Sequence, residues 1–84
     1  MNERDLKLLL EANAIKSVVI TGQGCRFHVE VKTQSSNKIV MTGRGEVRQW
    51  SSLDACAKWL RKNGIGQATI HIDQWQPEQK SLTL

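Results

Sequence analysis

The sequence predicts an α+β fold of two layers, an antiparallel sheet of four or five strands with two helices on one face, in the order αββββαβ. Three observations predict it. Leu6, Leu9 and Leu10 recur at helical spacing near the start, and residues 25–32 alternate apolar with polar. Leu53, Cys56, Ala57 and Leu60 then form a second helical stripe. Two such stripes around a two-residue period are what a sheet covered on one side by helices requires.

The first helix is expected after Asn2, a capping residue type, with Glu3 and Asp5 in the first turn where negative charge suits the helix dipole. Asn13 and Ala14 end it. Ile15 to Thr21 holds the β-branched run Val18, Val19, Ile20 and reads as a strand, and Gly22-Gln23-Gly24 reads as its turn. The second strand alternates Cys25, Phe27, Val29 and Val31 with Arg26, His28, Glu30 and Lys32. After the polar turn from Gln34 to Asn37, Lys38 to Thr42 reads as a third strand. Gly43-Arg44-Gly45 is the next turn, and Glu46 to Trp50 a fourth strand. Ser51 or Ser52 opens the second helix, with Asp54 completing a capping interaction if Ser51 is the cap. Gly64 is a left-handed terminator, and Ile65 its folded-back apolar contact. Ala68, Ile70 and Ile72 alternate with Thr69, His71 and Asp73 as a fifth strand. The expected core packs the two leucine-rich stripes on Val18, Ile20, Phe27, Val29, Val31, Ile70 and Ile72. One domain is expected over residues 1–73, with residues 74–84 as a mobile tail.

An 84-residue chain has room for one hydrophobic core, and 39% hydrophobic with 24% charged residues is an ordinary globular composition. The net charge of +4 favours polyanionic partners, nucleic acid first and acidic protein surfaces second. The excess lies in the body of the fold, where Lys16 to Lys62 holds nine Lys/Arg against three Asp/Glu. The apolar runs are too short for a signal core or a bilayer span, so a cytoplasmic protein with no membrane partner is expected. Cys25 and Cys56 read as small core-facing thiols in a reducing compartment.

No nucleophile stands beside a base and no carboxylate pair sits in a motif, so no enzyme, no catalytic residue and no cofactor are expected. His28 and His71 occupy outward strand positions but lack a ligand set, so no metal is expected either. Arg26, Lys32, Lys38, Arg44 and Arg48 all fall on strands or their turns and form the candidate DNA-binding set, because a basic sheet face can lie against phosphates or enter a groove. Long polar side chains covering an exposed antiparallel face would look the same. Trp59, off its helix's main stripe, and Trp75, at the root of the tail, are candidate protein-contact residues. Trp50 reads as core. An exposed strand edge leaves a homodimer open.

The Gly22 to Gly24 hairpin is followed by GRGEVRQWSSLDACAKWLRKNGI, and this order resembles ParC-type plasmid partition-associated proteins. Arg44, Gly45, Val47, Arg48, Trp50, Ser52, Leu53, Asp54, Leu60, Arg61, Gly64 and Ile65 carry the resemblance. Trp50 departs from the Phe of that pattern, and the segment after Asp73 has no counterpart in it. The resemblance implies a non-enzymatic accessory role in plasmid or mobile-element maintenance, through contact with a partition or replication protein, DNA, or both. It names no active site. The competing readings are a protein-interaction module without nucleic-acid affinity and a β-sheet DNA-binding regulator.

Overall fold

Asn2 begins the first helix by a reciprocal cap: its side-chain oxygen accepts the Asp5 N–H at 2.9 Å, and its own N–H reaches the Asp5 carboxylate at 3.5 Å. The computed structural model describes residues 1–76. Helix α1 runs Glu3–Glu11 and ends with Asn13 in the left-handed region at φ 55°. The Asn13 N–H then returns to the Leu10 carbonyl and the Ala14 N–H to the Leu9 carbonyl, the paired bonds that close a helix end around a left-handed residue.

Strand β1 (Ile15–Gly24) pairs antiparallel with β2 (Arg26–Thr33) through a tight turn whose central residues are Gly24 and Cys25. Gly24 has φ 62°, the sign a II′ hairpin turn needs at its first central position. Cys25 therefore sits exposed at the hairpin tip, and not in the core as its place in the alternation suggested. Strand β3 is short, Asn37–Ile39, and lies antiparallel to β2.

The expected fourth strand, Glu46 to Trp50, does not form as a continuous element. Its residues are divided between two partners. Val47 bridges back to Met41 around the Thr42–Glu46 turn, and Arg48 donates its N–H to the Val40 carbonyl. Trp50 instead exchanges both backbone bonds with Phe27, each at 2.9 Å, continuing the column that β3 and Val40 begin along β2. The bond Val40 N–H to Val29 carbonyl fills the position between them. One column of the sheet is thus assembled from two separate segments.

Ser52, not Ser51, caps helix α2 (Leu53–Lys62), accepting the Ala55 N–H at 3.1 Å. The far end follows the expectation closely. Gly64 has φ 91°, its N–H returns to Arg61, and the Ile65 N–H returns to Leu60 while the Ile65 side chain buries against the core.

The last strand, β4 (Thr69–Trp75), joins the sheet beside β1 and parallel to it, in the order β3-β2-β1-β4. The sheet is therefore mixed and four-stranded, in the order αβββαβ, and the all-antiparallel αββββαβ arrangement is corrected. A parallel neighbour requires a crossover, and α2 supplies it. Gln74 and Trp75, expected in the tail, are the end of β4. The expected mobile tail beyond Gln76 lies outside the described residues.

Both helices cover the same face. Leu6 from α1 and Cys56, Trp59 and Leu60 from α2 pack on Val18, Ile20, Phe27, Val29 and Val31, with Val40, Trp50 and Ile65 closing the margins. Ile70 and Ile72 are not part of this core and stay 45% and 50% exposed, since the helices lie over β1 and β2 while β4 is an edge strand. Ala57 is also exposed. Gly22 lies under Trp75: a Cβ there would stand 2.9 Å from the Trp75 Cβ and 3.1 Å from the Phe27 ring, so only a glycine admits this contact.

Candidate functional site

Pairing register decides which side chains share the uncovered face. Ser17, Val19, Thr21 and Gln23 of β1 stand opposite Lys32, Glu30, His28 and Arg26 of β2. On the other side of β1, Thr69, His71 and Gln74 stand opposite Val19, Thr21 and Gln23. Cross-strand partners project to the same side, so these residues form one largely polar surface behind the core, with Val19 buried among them at 6% exposure. Asn37 and Ile39 extend it along β3, where they oppose Lys32 and Glu30.

Two of the five candidate cations, Arg26 and Lys32, lie on this surface. Lys38 opposes Val31, whose side chain is in the core, and therefore projects from the helix-bearing side of the edge. Arg44 is exposed in the Thr42–Glu46 turn, where the Thr42 side-chain oxygen accepts the N–H groups of Arg44 and Glu46 and fixes the loop. Arg48 has a different environment altogether. Its guanidinium lies 5.3 Å from the centre of the Trp50 ring and 5.2 Å from that of Trp59, while the two rings are 5.1 Å apart. The five do not make one continuous basic face of the sheet.

His28 and His71 each stand opposite Thr21, one from either side. A full strand separates them, so their backbones are about 10 Å apart at the usual strand spacing. Among the described residues, no group of three or more His, Cys, Asp or Glu is placed to hold a metal ion. No helix among them is long and apolar enough to cross a membrane.

The tryptophans also settle differently from their sequence positions. Trp59, expected to be partly exposed, is 8% exposed and packs on Trp50 in the core, which removes it as a surface anchor. Trp75 is half-buried with its ring 5.2 Å from Phe27. The Arg48–Trp50–Trp59 stack has no periodic signature in the sequence, because it joins a loop to a helix through tertiary packing.

Cys56 is fully buried, and burial pushes its thiol up from 9.0 to about 11. A thiolate is therefore scarce there at neutral pH, the opposite of what a nucleophile needs. A groove runs between the end of α1, the start of β1 and the Ile65–Thr69 connection, lined by Leu10, Ile15, Val18, Ile65 and Ala68, with Lys16 as its one ionisable residue. No family model, curated protein or solved structure matches the chain.

Proposed function

We propose that this chain is a non-enzymatic accessory binding module of plasmid or mobile-element maintenance, of the ParC-like kind its motifs resemble, which lays the uncovered face of its sheet against a polyanion. The observation that carries the reading is the pair Arg26 and Lys32, in the β2 row Arg26, His28, Glu30 and Lys32, at the centre of the sheet face that neither described helix covers. Ser17, Thr21 and Gln23 flank it with hydroxyl and amide groups that hydrogen-bond phosphate oxygens without reading sequence. Arg44, exposed on its turn, extends the positive surface beyond the sheet. The net charge of +4 adds a longer-range attraction.

The test is binding to double-stranded DNA of mixed sequence at several salt concentrations. Each neutralised phosphate contributes a slope of roughly 0.9 in log affinity against log salt, so Arg26→Ala with Lys32→Ala should lower the slope by about two and weaken all sequences alike. Absence of binding in dilute buffer, or an unchanged slope in the double variant, removes DNA as the ligand.

A protein partner is the second reading, and Glu30 favours it. This carboxylate stands between Arg26 and Lys32 in the row and opposite the exposed Ile39, a mixture of charge and apolar surface better matched to a protein than to a phosphate backbone. Titration with the purified partition or replication protein of the parent element tests it. Affinity lost on Glu30→Lys would support a protein contact at this face.

A further inference from the structure

The two edges of the sheet are treated in opposite ways. On the β3 side the edge strand has only three residues, carries Lys38, and is capped by Met1, whose amine donates to the Ile39 carbonyl at 2.8 Å and whose carbonyl accepts the Met41 N–H. Short length, a lysine and a covering segment are the devices that keep an edge from pairing further. On the β4 side the edge strand has seven residues, Thr69–Trp75, without Lys, Arg or Pro, and its one irregularity, a register shift against β1 between His71 and Gln74, leaves Thr69–His71 regularly paired. Ile70 pairs beside the buried Ile20 yet is itself 45% exposed, and Ile72 is 50% exposed.

We propose that a second copy of this chain docks on β4, edge to edge and antiparallel, joining two sheets into one of eight strands. Three features single out a second copy as the occupant. Two identical strands paired antiparallel are related by a twofold axis, so one surface supplies both halves of the contact and the assembly closes at two copies. Centred on Ile70, within the regularly paired stretch Thr69–His71, the pairing sets Ile70 of each copy opposite Ile70 of the other with Ile72 beside it, covering apolar surface with apolar surface. Finally, β4 holds a single formal charge, that of Asp73, so two copies of a chain of net charge +4 can meet there without bringing cations together. The pairing leaves the Arg26–Lys32 row uncovered and stands independently of what that row binds.

One strand edge buries less than a standard interface of about 800 Å² per partner, so the dimer should be weak and dependent on concentration. Sedimentation equilibrium of the full chain from micromolar to millimolar concentration should give an apparent mass rising from one chain towards two. Amide exchange in β4 should slow over the same range. Ile72→Lys should keep the apparent mass at one chain throughout, while Ile39→Lys on the opposite edge should leave dimerisation unchanged. Far-ultraviolet circular dichroism checks that both variants are folded; should Ile72→Lys not fold, Ile70→Thr should reduce the dimer fraction in its place. A single-chain mass at millimolar concentration overturns the proposal. So does a dimer that survives substitution in β4 or shows no concentration-dependent protection there.

Discussion

At the scale of single residues, the chemistry of a side chain here follows its neighbours more than its type. Arg48 is a cation whose guanidinium lies over two indole rings, where most surface arginines would be fully solvated. Arg48→Ala should therefore lower stability by about 1–2 kcal/mol and shift the tryptophan fluorescence, measurable in a single denaturant titration. A loss below the error of that titration would mean the stack contributes nothing. The two cysteines offer a second contrast. Cys25, exposed at the hairpin tip, should react with a thiol reagent in the folded protein, whereas Cys56 should react only as the protein unfolds. Burial raises the Cys56 thiol in the folded state to about 11, so the folded protein keeps a proton that the unfolded chain releases from about pH 9. The sign is then fixed: the stability contributed by the neutral buried thiol is intact below pH 9 and falls between about 9 and 11, by roughly 2–3 kcal/mol at most. Cys56→Ala should flatten that alkaline limb while costing stability at neutral pH through the cavity it leaves.

At the scale of elements, the helix ends are the best-determined parts of the chain. Local chemistry suffices for them: Asn2 with Asp5, Ser52 with the Ala55 N–H, and Gly64 with Ile65 satisfy end groups within a few residues of themselves. Ser52→Ala should cost about 1 kcal/mol in thermal or urea unfolding, and Ser51→Ala should be close to neutral, since Ser52 alone provides the cap. Strands were less legible. Residues 26–32 alternate clearly and form β2, because one of their faces is fully covered. Residues 46–50 have a similar look, yet the Gly43–Gly45 turn returns Val47 to Met41 while Trp50 is drawn to Phe27. A strand is defined by a partner elsewhere in the chain, so a short pattern cannot decide whether its residues stay together.

At the scale of the whole molecule, the decisive feature is that α2 carries the chain back so that β4 enters parallel to β1, on the far side from β3. This placement leaves Ile70 and Ile72 at an edge the helices do not reach, turning residues that read as core into exposed surface. It also aligns His71 with His28 across Thr21 and keeps both on the uncovered face. The candidate basic set divides for the same kind of reason. Alternation along β2 was enough to group Arg26 with Lys32, whereas the side on which Lys38 projects depends on its register against Val31. The side of Arg48 depends on where Trp50 and Trp59 meet.

The sequence by itself determined both helices, the β1–β2 hairpin, the face of β2 that is buried and the two-layer character of the fold. All of these rest on periodicity and on capping contacts between residues close in the chain. Only the tertiary structure decided the parallel docking of β4, the composite column beside β2, the burial of Trp59 and the dispersal of the candidate cations. Each of those depends on contacts between residues far apart in the chain, and such contacts leave no local pattern. Strand direction is the clearest case: the alternation that marks a strand reads the same whether its neighbour runs with it or against it.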